Sequence, residues 1–326
     1  MSDRARRVSL RDLLWNTAER RPRVPIRLAL TTLIVVAFLG LATLLLAVVL
    51  ALFESDTVQF LASQLFRASL VLAVLAAAVL IDRRPIADLG FDLDRQWWLD
   101  LLFGLLLGAI SMSAVFFVAQ STGWIRVTGY FVTGALPWDF WLGFAALTIQ
   151  FGLVGFSEEV VARGYLLKNL GEGSTGYLSE RGSVLIAVLL SSVLFGAAHA
   201  TNPNATGVST LALSLLGNLF AVGYVFTGRL AIPIGLHTTW NLFQGGVFGF
   251  AVSGGHSGIS IINIDDTGPA VITGGAFGPE AGRLGIGAML VGIVVILGYV
   301  RWQYGVLRIS SRVTTPMLRW QRVDDS

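Results

Sequence analysis

The sequence predicts an all-α, polytopic transmembrane helix bundle of about eight spans, and three observations predict it. Hydrophobic residues make up 54% of the 326 and charged residues only 13%, about half the share usual in a soluble domain. Mean hydropathy is +0.72. Apolar runs long enough to cross a hydrocarbon core of roughly 30 Å lie near 28–52, 58–81, 98–119, 143–168, 183–200, 208–227, 231–250 and 284–300.

The first run follows a basic N-terminal segment, 1–27, with eight arginines from Arg4 to Arg27. This segment reads as a cytoplasmic strip drawn to anionic lipid. An apolar part of about 25 residues exceeds the 7–15 of a signal peptide, so the run reads as a retained span. The second run carries Arg67 at mid-depth, where a cation needs a carboxylate, a carbonyl or a cavity to face. Between the last two runs lies a Gly-rich stretch, 251–283, containing His256, Asp265, Asp266 and Glu280. It reads as an external structural loop, with a lid as the alternative. His256 has no motif partner there and reads as incidental.

A basic tail, 305–326, follows the last run and mirrors the basic start. The excess of arginine at both ends reads as two cytoplasmic termini, which an even number of spans requires. Arg83, Arg84, Arg95, Lys168, Arg181 and Arg229 then fall on the cytoplasmic side, leaving Arg126 and Arg283 outside. The domain organisation is therefore 1–27, a transmembrane domain over 28–304, and 305–326, in a cell membrane.

The chain has no Cys, which excludes disulfides and thiolate nucleophiles and leaves His and carboxylates as the strong metal ligands. A pI near 9.6 with a net charge of only +3 is explained by membrane sidedness, so no nucleic-acid partner is expected. The expected partners are the bilayer and a protein or peptide substrate within it.

Charges inside an apolar run point to function. Glu158, Glu159 and Arg163 lie in the fourth run, and the apolar pattern continues past them through Tyr165, Leu166 and Leu167. On a helix, Glu159 and Arg163 stack one turn apart in the favourable order for an ion pair, while Glu158 turns about 100° away. Glu159 is thus neutralised and Glu158 stays free for proton chemistry. Each motif alone has a bland reading: the glutamates end a span, His199 is an interfacial residue, and His237 with Asn241 ties helices together. Phe195 and His199 share a spacing of four, as do His237 and Asn241, and each pair falls in a later span. Joint occurrence favours one shared site. His237 and Asn241 are placed to donate two parallel hydrogen bonds to one oxyanion.

Glu158-Glu159-Val160-Val161-Ala162-Arg163-Gly164, then Phe195-x-x-x-His199, then His237-x-x-x-Asn241, resemble the three motifs of the CAAX protease and bacteriocin-processing (CPBP, Abi) family of intramembrane endopeptidases. The resemblance covers about 140–245. It implies a CAAX-protease-like helical core that cleaves peptide bonds near prenylated C-termini or in other membrane-associated substrates. Glu158 and His199 would activate water, His237 and Asn241 would hold the oxyanion, and Glu159 with Arg163 would support them. Ala162 departs from the bulkier residue often found before the Arg.

Two routes use these residues. In the favoured one, Glu158 takes a proton from water with help from His199. In the other, Glu158, His199 and His237 bind zinc and leave a position open for water. Whether any cofactor is needed stays open at this level. The competing functions are a non-catalytic scaffold or bacteriocin self-immunity protein, and a proton-coupled transporter, which the lack of paired half-repeats disfavours. Depth is the difficulty: counted from the nearest cytoplasmic end, His199 lies roughly 24 Å in and His237 about 9 Å.

Overall fold

The computed structural model describes residues 13–53, 55–134 and 138–320. Eight helical segments traverse the bundle. They are α1 (Val24–Leu52), α2 (Asp56–Leu80), α3 (Arg95–Ser121), α4 (Phe140–Glu159) continued by α5 (Lys168–Ser174), α6 (Glu180–Ala198), α7 (Gly207–Thr227), α8 (Ala231–Asn241) and α9 (Arg283–Tyr304). Seven of these are long and apolar enough to cross a membrane. The exception is α8, an 11-residue helix that a π-helical turn extends to Val247.

Local sequence starts most of these helices. Asp94 caps α3 by accepting from the Trp97 N–H, Asp139 caps α4 through Leu142, and Ser179 caps α6 through Gly182. Thr206 and Ser209 form a reciprocal capping box on α7, which satisfies two donors that would otherwise be orphaned in lipid. A different start serves α8, whose first turn is anchored by Leu230 N–H donating to Gly90 O at 3.1 Å.

Every described residue of α8 but Thr238 is buried, and its packing against α3 depends on small residues. A Cβ on Gly104 would stand 2.4 Å from Ile232 O, one on Gly108 2.5 Å from Leu236 O, and one on Gly235 2.5 Å from Leu101 O. Numbers rise together along both helices, so α3 and α8 are parallel. Close backbone approach is how membrane helices gain packing when lipid and Leu are equally apolar.

Two antiparallel ribbons interrupt the helical architecture: β1 (Trp15–Asn16) with β2 (Arg21–Pro22), and β3 (Ile125–Val132) with β4 (Ser260–Asp266). The run Ile125-Arg-Val-Thr-Gly-Tyr-Phe-Val132 is β-branched and aromatic, a strand signal that the span count leaves no room for. The 251–283 stretch is therefore partly strand.

The basic start is also not a lipid-facing strip where it is described. Arg21 and Arg27 are buried and converge with Arg84, Asp82, Asp88, Asn169 and Glu172 at the end of the bundle that holds the termini. Glu172 accepts from Arg84 at 2.7 Å and from Arg21 and Arg27 at 3.1 Å each. Arginines 4–11 lie outside the described residues.

Candidate active site

The two segments that carry the site both change helical form at it. Glu158 and Glu159 end α4, and Val160–Leu167 continues as a π-helix; Asn241 ends α8, and Leu242–Val247 does the same. Such turns recur at functional sites. They let a helix re-aim side chains without breaking its backbone hydrogen bonding.

The motif residues converge. Arg163 Nη1 donates to Glu159 Oε1 at 2.9 Å, and His237 Nδ1 meets the same oxygen at 2.9 Å. Arg163 Nη2 donates to Gly217 O at 2.8 Å. Glu158 Oε2 lies 3.7 Å from His199 Nε2 and 3.9 Å from His237 Nε2. Asn241 lines the same cavity, of about 590 Å³, and its amide makes no hydrogen bond among the described residues.

The partners fix the ring protons. His199 Nδ1 lies 2.8 Å from Phe195 O, and a carbonyl only accepts, so Nδ1 carries hydrogen and Nε2 is bare in the neutral ring. Glu159 Oε1 already accepts from Arg163, so His237 Nδ1 donates to it and leaves a second bare Nε2 in the neutral ring. Three acceptors therefore face one another, with Glu158 Oε2 itself unpartnered. His237 donates to an oxyanion through Nε2 only as an imidazolium.

Depth resolves through an offset between helices. Glu158 is about 24 Å from Ser174 and His237 about 9 Å from Ala231, at ~1.5 Å per residue. Gly164 packs against Leu230, whose Cδ1 is 3.1 Å from where a Gly164 Cβ would stand. From Gly164 to Ser174 is about 15 Å, which closes the gap. The helix bearing the glutamates simply projects further than α8.

Residues 137–243 match the family model of the type II CAAX prenyl endopeptidase Rce1-like proteins. The matched core is similar to that family. No curated protein and no solved structure matches the chain. The match spans α4 to α8, and the long apolar helices around it are those of a multi-pass membrane protein.

Around the Rce1-like motifs stand residues that the sequence pattern missed. Phe220 of α7 stacks on His237, centroids 4.6 Å apart. Phe195 and Phe220 also flank the Arg163 guanidinium at 4.6 and 5.3 Å, a cation–π contact that suits a desolvated charge. Helical spacing could not reveal Phe220, since it lies in a span with no motif.

Glu280 is the other missed group. It lines the cavity, is buried, and accepts from Ser253 N–H at 2.8 Å. Burial pushes its carboxyl up, against the lowering effect of the Ser253 N–H. Asn202 donates to Ser253 O at 3.0 Å, and Gly254 donates to Phe277 O at 2.8 Å. Gly254 must be glycine: its φ is +87° and a Cβ would sit 1.7 Å from Pro203 O. These contacts tie the loop after α6 to both ends of the 251–283 stretch, and His256 is in the cavity wall beside them. His256 is thus not incidental in position.

Glu158, His199 and His237 have the donor chemistry of a zinc site. Among the described residues, no group of three or more His, Asp or Glu side chains is arranged to hold a metal ion. No step below is routed through one.

Proposed function

We propose that the protein is an intramembrane endopeptidase that hydrolyses peptide bonds of membrane-associated or lipid-modified proteins or peptides, using water activated by Glu158 and His199. The observation that carries this reading is the meeting of two acceptors, Glu158 Oε2 and the bare His199 Nε2, 3.7 Å apart with no donor between them. A water placed there donates to Glu158 and His199 and keeps a lone pair for a carbonyl carbon.

In the proposed sequence, Glu158 takes the proton as the water oxygen attacks. The carbonyl oxygen becomes an oxyanion, held by the Asn241 amide and by His237 as an imidazolium. Glu159 stabilises that imidazolium through Nδ1–H, as a buried carboxylate does for a catalytic histidine. Glu158, Glu159, Arg163 and charged His237 sum to no net charge, which suits a site with little water. Glu158 then returns the proton to the leaving amine, and the peptide bond is cut. Both termini lie on the cytoplasmic side in this reading, following the arginine bias.

The test is cleavage of a membrane-embedded peptide reporter by purified protein in bilayers. Glu158→Gln abolishes hydrolysis in this reading, and wild-type cleavage by that variant overturns it. A chelator that stops the wild-type protein would instead select the metal-dependent route.

A further inference from the structure

Among the polar side chains of the catalytic cavity that the proposed reaction does not use, two stand without a strong partner. Arg67 of α2 and Gln150 of α4 both line it. Arg67 is half-buried, and its side chain makes one long hydrogen bond, Nη1 donating to Ser63 O at 3.4 Å. It forms no ion pair among the described residues, the carboxylate that acts on it through space being Glu158, and Gln150 makes no side-chain hydrogen bond there. An arginine at mid-depth in a bilayer is costly to leave without an anion.

Both side chains face one cavity, and the packing of α2 on α4 sets their relative height. Phe60 packs against Trp138, ring centroids 5.3 Å apart, and at the far end Tyr165 Oη donates to Asp82 Oδ1 at 3.1 Å. Between those contacts α2 and α4 run in the same direction, which brings Arg67 against the turns that end at Gln150. Glu158 is two turns beyond Gln150, about 12 Å along the helix.

We propose that Arg67 and Gln150 form a carboxylate subsite, which holds an acidic group of the substrate about 12 Å along α4 from Glu158. The planar guanidinium offers two parallel N–H donors to a carboxylate, and the Gln150 amide offers a third. The ligand class follows from the peptidase reading, on which this subsite rests: the anions a peptide carries are its terminal carboxylate and its Asp and Glu side chains.

Three forms of one reporter peptide distinguish these sources: a free C-terminal acid, the C-terminal amide, and the amide with Asp at its last position. Wild-type protein prefers the acid, the Asp amide, or both over the plain amide, and which of them gains identifies the source. Arg67→Gln removes that preference, lowering kcat/KM for the preferred form by about tenfold or more, through KM. Gln150→Leu lowers it less, and Arg67→Lys retains part of it. Equal cleavage of all three forms by the wild type overturns the subsite. So does an Arg67→Gln variant that loses all three forms equally with a displaced pH profile, since Arg67 would then act on Glu158. Binding of the same labelled peptides to Glu158→Gln protein reads the preference without hydrolysis. Acid-selective, Arg67-dependent binding without any wild-type cleavage would keep the subsite and remove the peptidase reading.

Discussion

Two buried ion clusters lie along the same helix, and they differ in how completely they are satisfied. At the end that holds the termini, Glu172 is shared by three arginines, Arg84 also reaches Asp82 and Asp88 at 3.0 Å, and Lys168 meets Asp88 at 3.2 Å. No buried side-chain atom of that cluster lacks a partner among the described residues. Around the glutamate motif, Glu158 Oε2, Glu159 Oε2 and Arg163 Nε are all buried without one. A filled network holds the chain in place; an unfilled one is prepared for something that arrives. The first clamps the N-terminal segment, the α2–α3 connection and α5 together, and the second surrounds the cavity.

The sharpest way to break the comparison is to remove one charged group from each cluster. Glu158→Gln should cost about 10⁴-fold in kcat with no change in thermal midpoint, because that oxygen has no partner to lose. Arg84→Met should do the reverse. It leaves Glu172, Asp82 and Asp88 short of a cation, destabilising the protein by about 3–5 kcal/mol, while the molecules that remain folded keep their kcat. Burial draws the Arg84 guanidinium down, yet Glu172 and Asp82 hold it above its ordinary value, so it stays charged and cannot relieve the loss by deprotonating. Unfolding in detergent with parallel activity measurement distinguishes the two outcomes.

Smaller effects sharpen the same contrast. Asn241→Ala should lower kcat by about 10²-fold with KM little changed, the mark of an interaction made to the oxyanion only. Glu280 lies between the two kinds of site, being buried and hydrogen-bonded but without a cation. Its raised folded-state value means that its contribution to stability is present at acid pH and is lost as pH rises through that value. Glu280→Gln should therefore flatten the fall in stability from acid to alkaline pH, seen in thermal midpoints across that range.

The smallest effect belongs to Asp94, which caps α3 and pairs with Arg229 at 2.7 Å. The Arg229 hydrogen bond holds its carboxyl down at about 2. Its contribution is present above the ordinary carboxylate range and is lost as pH falls toward 2. The side chain is exposed, so Asp94→Asn should shift the midpoint only slightly at pH 7 and not at all near pH 2.

Much of the fold was legible in the sequence because hydrophobic length and charge bias are local properties. Seven of the eight apolar runs match helices long enough to cross a membrane, while the run at 231–250 holds the short buried α8, and the spacing of four in Glu159–Arg163 reports one turn of one helix, whatever surrounds it. The ribbons were not legible: β3 and β4 are short, and each makes sense only paired with the other. Nor was the N-terminal clamp, since Arg21 and Arg27 look like any basic strip until Glu172 is seen to receive them.

The sequence by itself determined which of the candidate side chains share a helix face, because helical geometry couples residues three and four apart. Only the tertiary structure decided their states. Phe195 O and Glu159 set which nitrogen of each histidine bears hydrogen, Gly164 against Leu230 sets the depth at which the motifs meet, and Phe220 closes the face of His237. The decisive Glu159–His237 contact joins residues 78 apart in the chain, across helices whose relative height follows from packing and from no local pattern.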